Sequence, residues 1–187
     1  MVERLVIVRH GETEWSRNHQ HTSRTDLPLT EAGRASAAAL RSRWPGQAFE
    51  RVLCSPLRRA RETCELAGFG DVAELCPDLV EWDYGEYEGL TTVQIRERDP
   101  NWNLWRDGCP GGETPVQVGA RADRVLERFA ALEGEGLCFA HGHVLRVLTA
   151  RWLEMEVSAG ARFKLPAAGV GGLGHERETR VLESWTV

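Results

Sequence analysis

Short apolar runs alternate with longer amphipathic stretches along the whole chain. The segments RLVIV (4–8), RVLC (51–54), VAELC (72–76) and LCFA (137–140) are brief and mostly apolar, and they predict buried strands. Between them the periodicity changes to that of helices. Residues 29–44 are alanine-rich, with Thr30 as N-cap. Residues 55–68 predict a helix with Ser55 as N-cap, Pro56 at the first helical position and Gly68 as its stop. A long amphipathic helix follows over 114–132, opened by Thr114 and Pro115, and another over 143–155. Residues 77–113 are irregular, rich in Trp, Gly and Pro, with one short helix near 91–98. The tail predicts two strands joined at a polar turn around 176–179.

This order predicts an α/β fold: three layers, with a mostly parallel sheet flanked by helices on both faces and the last hairpin antiparallel at one edge. No repeat, low-complexity tract or long linker divides the chain. A single domain over 1–187 is expected, with an irregular, lid-like insertion around 77–113.

Composition narrows the partners. The 187 residues are 42% hydrophobic and 27% charged, with a net charge of −5. An acidic balance argues against nucleic acid, whose phosphates want a basic face. No apolar run approaches the roughly 20 residues of a membrane span, and MVERLVIV does not read as a signal peptide. A cytoplasmic protein is expected. The five cysteines form no CxxC pair, so reduced thiols acting as small apolar groups are expected. The tail and the seven tryptophans leave internal packing and a homodimer both open.

The candidate chemistry collects where apolar runs stop. VIV is followed by Arg9 and His10. VLC is followed by Ser55, Pro56, Arg58, Arg59 and Arg61. CFA is followed by His141, Gly142 and His143. Ligands of open α/β sheets bind beyond the carboxyl ends of strands, so these groups predict an anion site, with phosphate as the anion. A carboxyl from EWDYGEYEG (81–89) is available as a proton donor. Each feature alone has a structural reading: a satisfied histidine, a solvated arginine face, packing tryptophans. Three coincidences at strand ends favour the site.

These motifs resemble the histidine phosphatase superfamily, also called phosphoglycerate mutase-like. RHGETEW (9–15), SPLRRARET (55–63), EWDYGEYEGL (81–90), PGGET (110–114) and AHGHVLR (140–146) are similar to its motifs, in order and over essentially the whole chain. The resemblance implies that His10 is the nucleophile and that Arg9 and Arg59 bind phosphate oxygens. It implies that a protonated His141 assists them and that Glu81 is the general acid and then base. Thr22, Gly142, Ser16 and Gln20 are expected at the substrate. No cofactor and no metal are implied; a zinc reading of His10, His141 and His143 is opposed by the nearby arginines. Gly11 is read as letting the anion approach the backbone, Thr13 as an N-cap or a further hydroxyl, and Glu12 as a partner of Arg146.

Departures from the family pattern fall at Ser16, Gln20 and Ser23. The chain also lacks the long insertion with which mutases close their site. WSRN, FAHGH and RFKLPAAGVGGLGHE are similar to the branch holding sedoheptulose bisphosphatase and acid-phosphatase-like members. The expectation is a phosphatase of a small phosphorylated metabolite, a sugar phosphate first. The alternatives are a cofactor-dependent phosphoglycerate mutase and a non-catalytic phospho-ligand binding module.

Overall fold

The computed structural model describes residues 2–186. In chain order the elements are β1 (Arg4–Arg9), α1 (Glu14–Arg17), α2 (Glu31–Ala39, continued as a 3-10 turn over Leu40–Arg43), β2 (Arg51–Cys54), α3 (Arg58–Leu66) and β3 (Glu74–Leu75). After 3-10 turns at Pro77–Leu79 and Gly85–Tyr87 come α4 (Thr92–Arg98), α5 (Leu104–Asp107), α6 (Pro115–Ala130), β4 (Glu135–Ala140) and α7 (Gly142–Trp152). A 3-10 segment over Val157–Arg162 leads to β5 (Val170–Glu176) and β6 (Thr179–Trp185).

The strands form one sheet in the order β3-β2-β4-β1-β5-β6. β1, β2, β3 and β4 pair in parallel. β5 is antiparallel to both β1 and β6, so the edge strand β6 returns to the main direction. Alternation along the strands divides the core in two. Leu5, Ile7, Leu53 and Cys138 pack with α6 and α7 on one face. Val6, Val8, Val52, Cys54, Leu137 and Phe139 pack with Leu40, Ala60, Cys64 and Ala67 on the other. The 77–113 segment sends Trp82, Tyr84, Ile95, Trp102 and Leu104 into the first cluster. No helix among the described residues is long and apolar enough to cross a membrane.

Local signals act largely as expected. Thr30 caps α2 through Gly33 N–H. Thr114 and Gln117 form a capping box on α6. Gly68 ends α3 with a φ of +94°, in the left-handed region where glycine carries no penalty. All five cysteines are buried and free.

The four-residue helices α1 and α5 were not expected, and two expected elements differ. The third strand shrinks to Glu74–Leu75, both exposed at the sheet edge. Helix α3 starts at Arg58 rather than at Pro56, and Ser55 is not its cap. The cap comes from a distant segment instead: Asp26 Oδ1 accepts Arg58 N–H at 2.7 Å. Ser55 is free for other work.

Candidate active site

β4 lies between β1 and β2, so three adjacent parallel strands end together. His10 N–H donates to Ala140 O at 2.9 Å, and Ser55 N–H to Phe139 O at 2.9 Å. This register brings Arg9, His10, Ser55 and His141 to one rim. The start of α7 sits there as well, and the positive end of its dipole favours negative charge.

His10 is buried, and its Nδ1 lies 2.7 Å from Gly11 O. A carbonyl accepts only, so Nδ1 carries the proton and Nε2 keeps its lone pair. Burial first, then Arg59 and Arg9, hold the imidazole well below its ordinary value. It is therefore a neutral base at physiological pH.

Two arginines serve this histidine differently. Arg9 donates Nη1–H to Leu165 O at 2.6 Å, while its buried Nε has no partner. A buried guanidinium N–H without an acceptor is costly. Arg59 is wholly buried and largely spoken for. Its Nη2 donates to Thr22 O and Ser23 O at 3.1 and 3.0 Å, and Nη1 to Thr25 O at 3.1 Å. Its Nε donates to His141 Nδ1 at 3.1 Å. Arg58, by contrast, is exposed and paired with Glu62.

His141 is fully buried, with Nε2 at 2.7 Å from Ser55 Oγ. Burial, then Arg59, His10 and Arg9, hold it well below the ordinary imidazole value. The expectation of a protonated His141 is thus corrected: the ring is neutral, because it is desolvated among cations.

Glu81 comes from the irregular segment and is only 5% exposed. Its Oε1 accepts the N–H groups of Trp82 and Val144 at 2.9 and 2.8 Å, and Oε2 accepts that of His143 at 3.0 Å. The carboxyl is pinned to the first turn of α7. Beside it, Tyr84 Oη lies 2.6 Å from His143 Nδ1. Burial raises the Tyr84 phenol well above its ordinary value, so it stays a neutral hydroxyl against that ring.

These groups face a cavity of about 460 Å³. Arg9, His10, Glu81, Gly142, Ser16, Gln20 and Thr22 line it; Arg59 and His141 lie deeper. A Cβ at Gly142 would meet Arg9 Cζ at 3.2 Å, so glycine leaves the guanidinium its place. Ser16 spends its hydroxyl in a capping box with Thr13, whose role is N-cap. Gln20 Nε2 donates to Gly89 O at 2.8 Å, and Thr22 Oγ1 donates to Gln20 O at 3.0 Å. The mouth carries Arg17, His19, His21, His143, Arg146 and Lys164, the last being the only lysine in the chain. Among the described residues no carboxylate pairs with Arg17 or Lys164.

Two further readings are corrected. Glu12 does not meet Arg146: its Oε1 accepts from Thr30 Oγ1 at 2.8 Å, bracing the α2 cap. Arg146 donates to Gly160 O and Ala161 O and lies over Trp105. Gly11 does not serve anion approach. Its N–H donates to Thr63 Oγ1 at 3.0 Å, and a Cβ there would lie 2.4 Å from Gly33 O. It is a contact glycine between β1 and α2.

The Ser55–His141 bond, the Tyr84–His143 pair and the Leu165 carbonyl were not anticipated. Ser55 had a signal, since it stands at a strand end inside a motif. Leu165 had none, because a backbone acceptor leaves no mark on residue type.

A family model described as the histidine phosphatase superfamily (branch 1) matches residues 5–187. An acid phosphatase of Mycobacterium tuberculosis is 43% identical over 190 residues, spanning 96% of this chain and 90% of that protein. A sedoheptulose 1,7-bisphosphatase of Saccharomyces cerevisiae is 37% identical, spanning 84% of this chain and 70% of that protein. Among solved structures, an open reading frame product of M. tuberculosis superposes with a TM-score of 0.91 at 41% identity, over 98% of this chain and 96% of that one. A mycobacterial glucosyl-3-phosphoglycerate phosphatase in complex with VO3 gives a TM-score of 0.85 at 29% identity, over 98% of each chain.

Proposed function

The chain belongs to the histidine phosphatase superfamily, and on that premise we propose that it is a metal-independent phosphatase acting through a phosphohistidine on His10. The observation that carries this reading is His10 itself: a neutral imidazole with Nδ1–H tied to Gly11 O, beside an Arg9 Nε that has no partner.

Nε2 of His10 attacks phosphorus, and the N–P bond forms as the P–O bond to the alcohol breaks. Glu81 gives its proton to the leaving oxygen. Three of its four lone-pair sites are occupied by backbone N–H groups; the fourth, on Oε2, is open for the proton that moves. Water then attacks phosphorus, Glu81 takes up a proton, and the N–P bond breaks to release inorganic phosphate. Arg9 and Arg59 supply fixed positive charge to the oxygens throughout. With His141 neutral, that work falls to the two arginines.

The substrate is read as a small sugar phosphate. A cavity of about 460 Å³ suits such a molecule. The unpaired Arg17 and Lys164 at its mouth suit a substrate with further anionic or hydroxyl groups, and the yeast relative is named for a sugar bisphosphate.

The test is turnover of p-nitrophenyl phosphate in EDTA, with His10→Ala at background rate. Loss of activity to EDTA, or an active His10→Ala, overturns the mechanism. Sustained phosphoglycerate interconversion would establish a mutase instead.

A further inference from the structure

Glu88 has no part in the chemistry above, yet it is tied to it. Its Oε1 and Oε2 each accept Ser23 N–H at 2.9 Å, and Oε1 accepts Thr25 N–H at 3.0 Å. The carbonyls of these same two residues, with that of Thr22, receive Arg59. Arg59 in turn holds His141. A carboxylate therefore sits at the N–H side of a four-residue loop and a guanidinium at its carbonyl side. Each charge meets the favourable end of the peptide dipoles between them.

Other contacts hold the loop as well, Arg24 to Asp83 Oδ2 at 2.6 Å, Ser23 Oγ to Glu81 O at 3.3 Å and Arg58 N–H to Asp26 Oδ1 at 2.7 Å, but the N–H groups of Ser23 and Thr25 go to Glu88. Residues 21–30 form no helix or strand. Neutral bonds stitch its start to the segment after Glu88: His21 N–H to Leu90 O at 2.9 Å and Gly89 N–H to His21 O at 2.8 Å. Arg59 cannot place itself, because four of its five N–H groups are already given out and only one on Nη1 is free. Where the loop sits, Arg59 sits.

We propose that Glu88 is a positioning residue: through the 22–25 loop it sets Arg59 and thereby His141. This rests on the reading that Arg59 acts on the transferred phosphoryl group. Glu88→Gln keeps the size of the side chain and can keep an amide oxygen at the Oε1 position, but it removes the charge and puts an NH₂ at the Oε2 position, against Ser23 N–H. Displacing a charge clamp by a fraction of an ångström lowers rates by about ten- to a hundredfold.

The test is a double-mutant cycle on kcat/KM for p-nitrophenyl phosphate, with folding followed by circular dichroism. In the wild-type background Glu88→Gln is expected to lower kcat/KM ten- to a hundredfold. In an Arg59→Ala background it is expected to change it less than twofold, since the residue it positions is gone. Glu88→Asp, which keeps the charge with a shorter reach, is expected to fall between. Equal losses in both backgrounds, no loss in the wild-type background, or unfolding of both Glu88 variants overturns the proposal. An Arg59→Ala variant with undiminished activity counts instead against the role given to Arg59, which separates the two failures.

Discussion

Arg59 Nε–H donates to His141 Nδ1, 3.1 Å away, inside a fully buried pair. Two groups expected to grip the same anion side by side are thus bonded to each other first. The guanidinium proton occupies the very nitrogen that would have to protonate for His141 to become a cation. The imidazole is left neutral, with Nε2–H directed to Ser55.

Ser55→Ala tests that arrangement. It leaves the His141 Nε2–H without a partner at a site closed to water. The expected cost is about 1–3 kcal/mol of stability. With the tautomer no longer fixed, kcat/KM is expected to fall about ten- to a hundredfold. Urea unfolding and steady-state kinetics on one preparation check both, and unchanged kinetics would remove Ser55 from the site.

Gly142→Ala separates activity from stability. Alanine suits the first turn of α7 better than glycine, so the fold is expected to hold or gain slightly. Its Cβ, however, meets Arg9 Cζ at 3.2 Å, and Arg9 is anchored to Leu165 O. Activity on a phosphomonoester is expected to drop at least about tenfold. Full activity in the alanine variant would show that Arg9 moves freely.

Gly11→Ala is expected to act on the fold alone. A Cβ 2.4 Å from Gly33 O forces β1 and α2 apart, costing about 3 kcal/mol or more. In a chain of this length that lowers Tm by roughly 6 °C or more. A variant that melts normally but has lost activity would return Gly11 to anion binding.

Acid should destabilise the protein. His10, His141 and His143 are held well below the ordinary imidazole value, with burial the largest cause in each. Arg59 and Arg9 add to this at His10; Arg59, His10, Arg9 and Arg121 at His141; Arg146, His21 and Arg9 at His143. The unfolded chain titrates near 6.5. Above that, all three are neutral in both states. Below it the unfolded state binds more protons, so stability falls with pH, by about 1.4 kcal/mol per unit for each proton excluded. Urea midpoints from pH 7.5 to 5 measure the slope; a flat profile would mean that these rings take up protons while folded.

The sequence by itself determined the architecture and the rim. Three apolar runs of four or five residues, 4–8, 51–54 and 137–140, form buried strands that the intervening helices make parallel, while the fourth, 72–76, keeps only the exposed Glu74–Leu75. Arg9, His10, Ser55 and His141 follow those runs directly, so their place at the strand ends was legible. What each does there was decided by tertiary contacts. Ser55 reads locally as a helix cap, yet Asp26 supplies the cap and Ser55 turns to His141. Glu12 beside His10 reads as a partner for an arginine, yet the nearest hydroxyl is Thr30, brought up by α2. The neutrality of His10 and His141 follows from burial among arginines, a property of the packed whole. Glu88, seven residues past Glu81 in one motif, reaches the site only through a loop that it holds by backbone N–H groups. Such contacts depend on where peptide units lie, and residue types do not encode that before the chain has packed.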